Sequence, residues 1–332
     1  MKRSREVLLW AFFLALCFWA GYLKGFLPLT FKQNLFTKGP VRILNATPFD
    51  LPQDFVKALE DDFGQKVEVQ RIKTWDELQA KMVVKNGPNL ILAPAYWSQD
   101  LANENLLLRL NPLRSKIEKR LSPDFISLQG KNLNVLPLYW TVTEFRTHKD
   151  SALGDTLDQA LTNKNLAELH LFPDTDLMAV HIKAWSKNPQ VGLLKIKDIS
   201  TYHFNKLPQE IGKNTVWEVP QVLKIKDSRP LETQKSKALV IYGMMIPKNS
   251  MNRKVSYHVL ERLMDQDMEE MALAKLPLGS TLQVSDGPLR ISKEQRSSEL
   301  RDLKLHELVI LERRWPDLFQ DYWQKFNFIS PN

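Results

Sequence analysis

The chain has 332 residues, 43% of them hydrophobic and 25% charged, with 46 Lys and Arg against 38 Asp and Glu for a net charge of +8. That composition excludes a disordered tail and supports a substantial core, in two domains or one large one. The basic excess admits anionic lipid or an anionic ligand, but the cations are interspersed with acids and form no basic block or aromatic-interleaved motif, so nucleic acid is not an expected partner.

The first element differs from everything after it. Lys2, Arg3 and Arg5 precede an uncharged apolar run from Val7 to Leu23, and a second apolar patch ends at Leu29. A basic flank followed by an apolar run is the composition of an export signal, and residues 1–31 are assigned to it. Three fates stay open: an uncleaved anchor with the basic end inside, a cleaved peptide, or a lipidated form at Cys17, the chain's single cysteine. The residues before the candidate cuts are bulky, and Leu16 stands before Cys17, which favours the anchor. In each case the body lies on the extracytoplasmic side of the membrane. It has no cysteine, hence no disulfide framework and no thiol chemistry.

From Val41 strands and helices alternate. "VRILNA" reads as a strand, followed by a helix over "DLPQDFVKALEDDF", with Asp50 as N-cap in register with Gln53 and Gly64 as C-cap. "KVEVQRI" alternates as a half-exposed strand. "TWDELQAKM" opens as a helix with Thr74 and Glu77 in capping-box register. "NLILAP" is apolar throughout, as expected of a strand buried on both faces, and Ser98 is placed to cap the helix after it. This βαβαβα order predicts a parallel sheet with right-handed crossovers. Ligands of such sheets bind outside the carboxyl ends of the strands. Tyr96 and Trp97 follow such an end. They either line a cleft there or pack under the next helix, and the loop's position favours the cleft.

Farther on, "NVLPLYWTVTEFRT" is strand-rich and broken by Pro137. "AELHLFPDTDLMAVHIKAW" is a strand running into a helix, and "KALVIYGMMIPKNS" is a strand ending at Pro247. An amphipathic helix covers "VSYHVLERLMDQDMEEMALAKL", and the C-terminal segment is read as largely helical with a start or kink at Pro316. No repeat or flexible linker separates the two α/β units, so interlaced connections are expected.

These stretches, in this order, resemble an extracytoplasmic solute-binding protein of an ABC importer, closest to the spermidine/putrescine-binding group. The resemblance rests on "FGQKVEV", the "LQAK" helix, "NLILAPAYW" with "NLLLRL", "LPLYWTVTEFRTHKD", "LHLFPDTDLMAV" and "MMIPKNSMNRKVSYHVLERLM", and spans roughly Val41 to Phe326. It implies an α/β, two-lobe fold of the periplasmic-binding-protein type II class, each lobe a mainly parallel sheet flanked by helices. Lobe 1 would comprise 39–140 plus 246–332, and lobe 2 would comprise 141–245. It further implies a small-molecule solute held between hinged lobes and an ABC permease as membrane partner, with no cofactor.

Carried over residue by residue, the resemblance places Phe49, Tyr96, Trp97, Trp140, Asp174 and Tyr242 at the ligand. Asp174 and Asp176 are equally suited to a helix N-terminus. Ala46 stands where polyamine binders carry a tryptophan, Leu177 replaces a second carboxylate, and Val240 and Tyr242 replace a Trp and an Asp. Without those partners a dication would be buried nearly unpaired, at a cost of several kcal/mol, so the solute is polyamine-like or another. The alternative is a ligandless two-lobe module acting through protein contacts. No hydrolase elbow, Walker loop or dinucleotide fingerprint occurs, so an enzyme is not expected. The six histidines, His181 among them, show no metal spacing and read as structural or exposed.

Overall fold

The structure is a computed structural model that describes residues 39–72, 75–84, 87–121, 125, 133–174, 177–178, 181, 198–201, 208–220, 225–232, 238–276, 278–282 and 309–310. The N-terminal apolar segment, Thr74, Asp176 and nearly all of the C-terminal segment lie outside them.

The first half opens with β1 (Val41–Asn45), α1 (Gln53–Phe63), β2 (Val67–Arg71), α2 (Trp75–Met82), β3 (Leu90–Pro94) and α3 (Trp97–Asn103). β1 pairs parallel with both β2 and β3. Helix α1 buries Phe55, Leu59 and Phe63, spaced four apart and therefore on one stripe, each contributing about 2 kcal/mol by leaving water. Gly64 ends it in the left-handed conformation at φ 59°. β3 is buried at every residue, as its unbroken apolar run requires.

Two caps differ from expectation. Pro52, without a side-chain cap, starts α1, because Asp50 instead accepts from Arg71 Nη1 at 2.7 Å. Helix α3 begins one residue before Ser98, at Trp97, with Tyr96 at its N-cap. In the first case a side chain distant in sequence outcompetes a local bond that only propensity favoured.

After α4 (Arg114–Arg120) comes β4 (Leu136–His148), a single strand of 13 residues. Pro137 does not break it, because the register shifts between Pro137 and Tyr139 and the missing amide falls in that irregularity. The second half adds α5 (Leu157–Thr162), β5 (Glu168–Leu171), β6 (Asp198–Thr201), β7 (Thr215–Pro220) and β8 (Ser228–Pro230). A full capping box at Thr156 and Gln159 starts α5. β9 (Ala238–Met245) then returns, followed by α6 (Arg253–Leu263), α7 (Gln266–Leu273), β10 (Gly279–Ser280) and β11 (Val309–Ile310).

The expected single amphipathic helix is thus two, broken where Asp265 takes extended backbone. Arg262 spans the break, donating to Asp267 Oδ1 at 2.6 Å and Asp265 Oδ2 at 3.2 Å. The expected C-terminal helicity also differs at its two described residues, since β11 pairs parallel with β9.

All the described strands join one sheet, with main order β2-β1-β3-β9-β4-β7-β5-β6. β4 and β9 lie at its centre, antiparallel to each other; β3 pairs with the carboxyl-terminal part of β9, and β7 with that of β4. These two strands are therefore the interlaced connection, and the architecture is a mixed sheet with flanking helices. One core fills the second half around Phe145, Leu157, Leu169 and Val216. The largest core starts under α1 and crosses the centre to reach Phe172, Leu177 and Val219.

Candidate functional site

The carboxyl ends of β1 and β3 and those of β5 and β7 point toward each other, because β1 and β3 run with β4 while β5 and β7 run against it, and together they form one ligand edge between the halves. The loop after β1 carries Phe49, the loop after β3 carries Tyr96, and the loop after β5 carries Asp174. This edge is where open α/β sheets hold ligands, and here the two halves meet.

The β1 loop is a closed turn. Asn45 Nδ2 donates to the Phe49 carbonyl at 2.7 Å, while its Oδ1 accepts from Thr47 N at 3.0 Å and Thr47 Oγ1 at 2.7 Å. The turn drives the Phe49 ring inward, edge-on to Tyr242 with centroids 5.1 Å apart and to Tyr139 at 6.3 Å. Phe49 and Tyr242 have no exposed surface. Burial, reinforced by the charge of Glu269, pushes the Tyr139 phenol well above its ordinary pKa.

The pair that follows β3 splits. Trp97 turns into the core of the first half, edge-on to Trp75 at 5.3 Å. Tyr96, half-buried, packs against both that core and the central one, and its hydroxyl lies 3.1 and 3.3 Å from the two carboxylate oxygens of Asp174. Those residues are 78 apart in sequence and belong to loops of opposite halves. Asp174 Oδ1 also accepts the Leu177 amide at 2.9 Å, and the Asp174 carbonyl accepts from Met178 N, so the carboxylate caps a helical turn while receiving Tyr96.

Trp140 is fixed on β4. Its indole donates to the Ser280 carbonyl at 2.7 Å, and Gly279 approaches so closely that a Cβ there would lie 2.2 Å from the ring. Trp140 is buried in this conformation, as are Phe49, Trp97 and Tyr242, because side chains from the other half or the flanking helices cover them. Among the expected residues, Tyr96 and Asp174 meet directly across the halves, and Phe49 and Tyr242 meet in the core.

Three further residues carry polar chemistry that sequence reasoning missed. By strand period Tyr139, Thr141, Thr143 and Phe145 share one face of β4. Thr143 Oγ1 donates to Glu218 Oε1 at 2.7 Å, His181 Nε2 sits 2.9 Å from that oxygen, and the Phe172 amide donates to Oε2 at 3.1 Å. Glu218 is fully buried. Burial alone would raise its pKa, but the adjacent His181, the Thr143 hydroxyl and the Phe172 amide together hold it below the ordinary carboxylate value. The Phe172 amide is two residues from Asp174, so Glu218 anchors the loop that presents that carboxylate. Between these groups and the aromatic cluster, the Thr141 hydroxyl is fully buried and has no hydrogen-bond partner among the described residues. The available signals were a lone acid in the apolar strand "TVWEVP" and the alternating threonines of "WTVTEFRT".

An open groove of about 560 Å³ lies elsewhere, between α1 and β2, lined by Asp50, Asp54, Lys57, Asp61 and Arg71 among others. Among the described residues no group of three or more His, Cys, Asp and Glu is placed to hold a metal ion.

No family model matches the sequence, and no curated protein matches it. Solved structures do match in fold. A protein described as a spermidine/putrescine ABC transporter from Listeria monocytogenes superposes with a TM-score of 0.65 at 15% identity, covering 87% of this chain and 99% of its own. The lipoprotein Tp0655 (TpPotD) of Treponema pallidum gives 0.64 at 13% identity, with 86% and 98% covered. A spermidine/putrescine ABC transporter substrate-binding protein from Streptococcus pneumoniae gives 0.62 at 15%, with 87% and 99% covered. The chain thus has the two-lobe periplasmic-binding-protein-like fold, with the likeness extending over nearly the whole of each of those structures.

Proposed function

We propose that this chain is a solute-binding receptor of an ABC-type importer, held by its N-terminal segment on the extracytoplasmic face of the membrane, and that it delivers a small molecule to a permease there. The observation that carries this reading is the Tyr96–Asp174 hydrogen bond, which joins strand-end loops of opposite halves at the ligand edge of the sheet. Residues 39–140 plus 246–332 form one lobe and 141–245 the other, with β4 and β9 as the crossing strands on which they part. When they part, Asp174 and Tyr96 become available to a solute and Thr141 offers its hydroxyl. Phe49 and Tyr242 contribute an apolar wall, and Trp97 and Trp140 support it from behind.

The solute carries at most one strongly cationic group. Ala46, Leu177 and Val240 supply neither the ring face nor the second carboxylate that a linear dication needs, and burying a second charge unpaired costs several kcal/mol. A thermal-shift screen of the full chain in mild detergent, against polyamines, monoamines, amino acids, sugars and oligoanions, tests this. A receptor gains stability by mass action at ligand concentrations far above its dissociation constant. A monoamine or neutral solute should raise the melting temperature more than spermidine does.

A second reading is favoured by one specific observation. Phe49, Trp140 and Tyr242 are sealed in a core that runs across both halves, as expected of a two-lobe module that holds no solute and acts through protein contacts. Absence of any shift across the screen would favour it.

A further inference from the structure

The end of the first half away from the ligand edge, at the amino ends of β1 and β3, carries an apolar patch with no role in solute binding. Four large apolar side chains are exposed among the described residues, and three of them, Val83 (73%), Val84 (54%) and Met251 (50%), fall on two loops at this end. Asn249 ties the loops together, donating to the Val84 carbonyl at 2.9 Å and to that of Met82, and Gly87 bridges Ser250. Lys81, Lys248 and Arg253 are exposed beside the patch, and Arg42, paired with Glu68 at 3.5 Å, lines the small groove that contains Val84.

The chain also enters here. Arg42 N donates to Asn89 Oδ1 at 2.9 Å, the Asn89 carbonyl accepts from Ser256 Oγ at 3.0 Å, and Ser256 Oγ lies 2.9 Å from Ser250 Oγ. The start of β1 is thus linked to the loop of Met251 through a few hydrogen bonds. Only seven residues, 32–38, separate the N-terminal apolar segment from Gly39. Fully extended they reach at most about 25 Å.

From this we infer that the patch is a membrane contact, with Val83, Val84 and Met251 entering the headgroup boundary of the bilayer while Lys81, Lys248 and Arg253 meet anionic lipid phosphates. Exposed apolar tips beside cations suit a lipid interface, where apolar burial and attraction to anionic headgroups add. The contact rests on the N-terminal anchor of the proposed function.

The test uses the full chain carrying Cys17→Ala and one new cysteine, Val84→Cys or Asp50→Cys, the latter at the opposite end of β1. Each is labelled with an environment-sensitive fluorophore and reconstituted into phosphatidylglycerol/phosphatidylcholine vesicles bearing an acyl-chain quencher. The chain should float with the vesicles, and the label at 84 should shift to the blue and lose most of its emission while the label at 50 stays unquenched. Adding Val83→Asp and Met251→Asp should restore most of the emission at 84 without changing the melting temperature. A floating chain whose label at 84 is unquenched, or is quenched no more than that at 50, overturns the contact alone and leaves the anchor standing. Shielding of position 84 that appears only when membrane protein is added overturns it in favour of a protein partner. A chain that does not float overturns contact and anchor together, and the solute screen judges the receptor independently.

Discussion

The loops after β1 and after β5 face each other across the ligand edge but are held by opposite physics. In the first half, Asn45 closes the turn with neutral hydrogen bonds and Phe49 plugs it into an aromatic cluster with Tyr139 and Tyr242. In the second half, the loop bearing Asp174 hangs on a buried carboxylate, Glu218, shared among His181, Thr143 and the Phe172 amide. Apolar packing responds to lost volume and is indifferent to proton concentration. A buried charge responds to the loss of any partner and to acid. One wall of the candidate cleft is therefore set by shape and the other by electrostatics.

Phe49→Ala should break the first wall with the largest effect, about 4 kcal/mol of stability, because a fully buried ring is lost and the closed turn limits collapse. Chemical unfolding at two pH values checks it, and the loss should be the same at both. Glu218→Ala should cost about 3 kcal/mol at neutral pH, since it leaves His181 and the Phe172 amide buried without their acceptor. This loss should depend on pH. The folded pKa of Glu218 lies below its ordinary value of 4.5, so the folded chain binds that proton less readily than the unfolded one. Its contribution is full above pH 4.5 and fades as the pH falls through the lower, folded pKa. The gap between parent and variant should narrow on acidification, in contrast to Phe49→Ala.

Between the two walls, Thr141→Val removes a buried hydroxyl that has no partner and should raise stability by about 1 kcal/mol while weakening solute binding. Opposite signs for stability and binding would mark the hydroxyl as kept for a ligand; unchanged binding would make it a packing residue. The smallest effect on stability belongs to Tyr96→Phe. A half-exposed hydrogen bond is worth less than about 1 kcal/mol. Its readout is the equilibrium between closed and open halves, measured by small-angle scattering, which should move toward open.

Much of the fold was legible in local pattern. β1 to β3 and the helices between them follow from periodicity, and Gly64 announced its own cap. Two of the failures were decided at a distance. Asp50 reads as a cap until Arg71, on another strand, takes it. Pro137 reads as a strand breaker until the partner strand supplies a register shift. The site shows the same division. Topology turns the Tyr96 and Asp174 loops toward each other, but nothing in the sequence says that Phe172 and Leu177 would come to rest in the core that covers Phe49, Trp140 and Tyr242. Glu218 stayed hidden because a single acid in an apolar strand is ordinary until its three partners are assembled around it.

The central claim, that a solute binds between the halves on Tyr96 and Asp174, is tested most directly by titrating the solute that gives the largest thermal shift into the parent chain and into Asp174→Asn. Asparagine keeps an oxygen that can accept from Leu177 and Tyr96 but removes the charge. The account predicts that the variant folds with nearly parental stability and binds a monoamine at least about tenfold more weakly, the loss of one charge-assisted hydrogen bond. Equal affinity in parent and variant, or no solute that binds the parent at all, would contradict it.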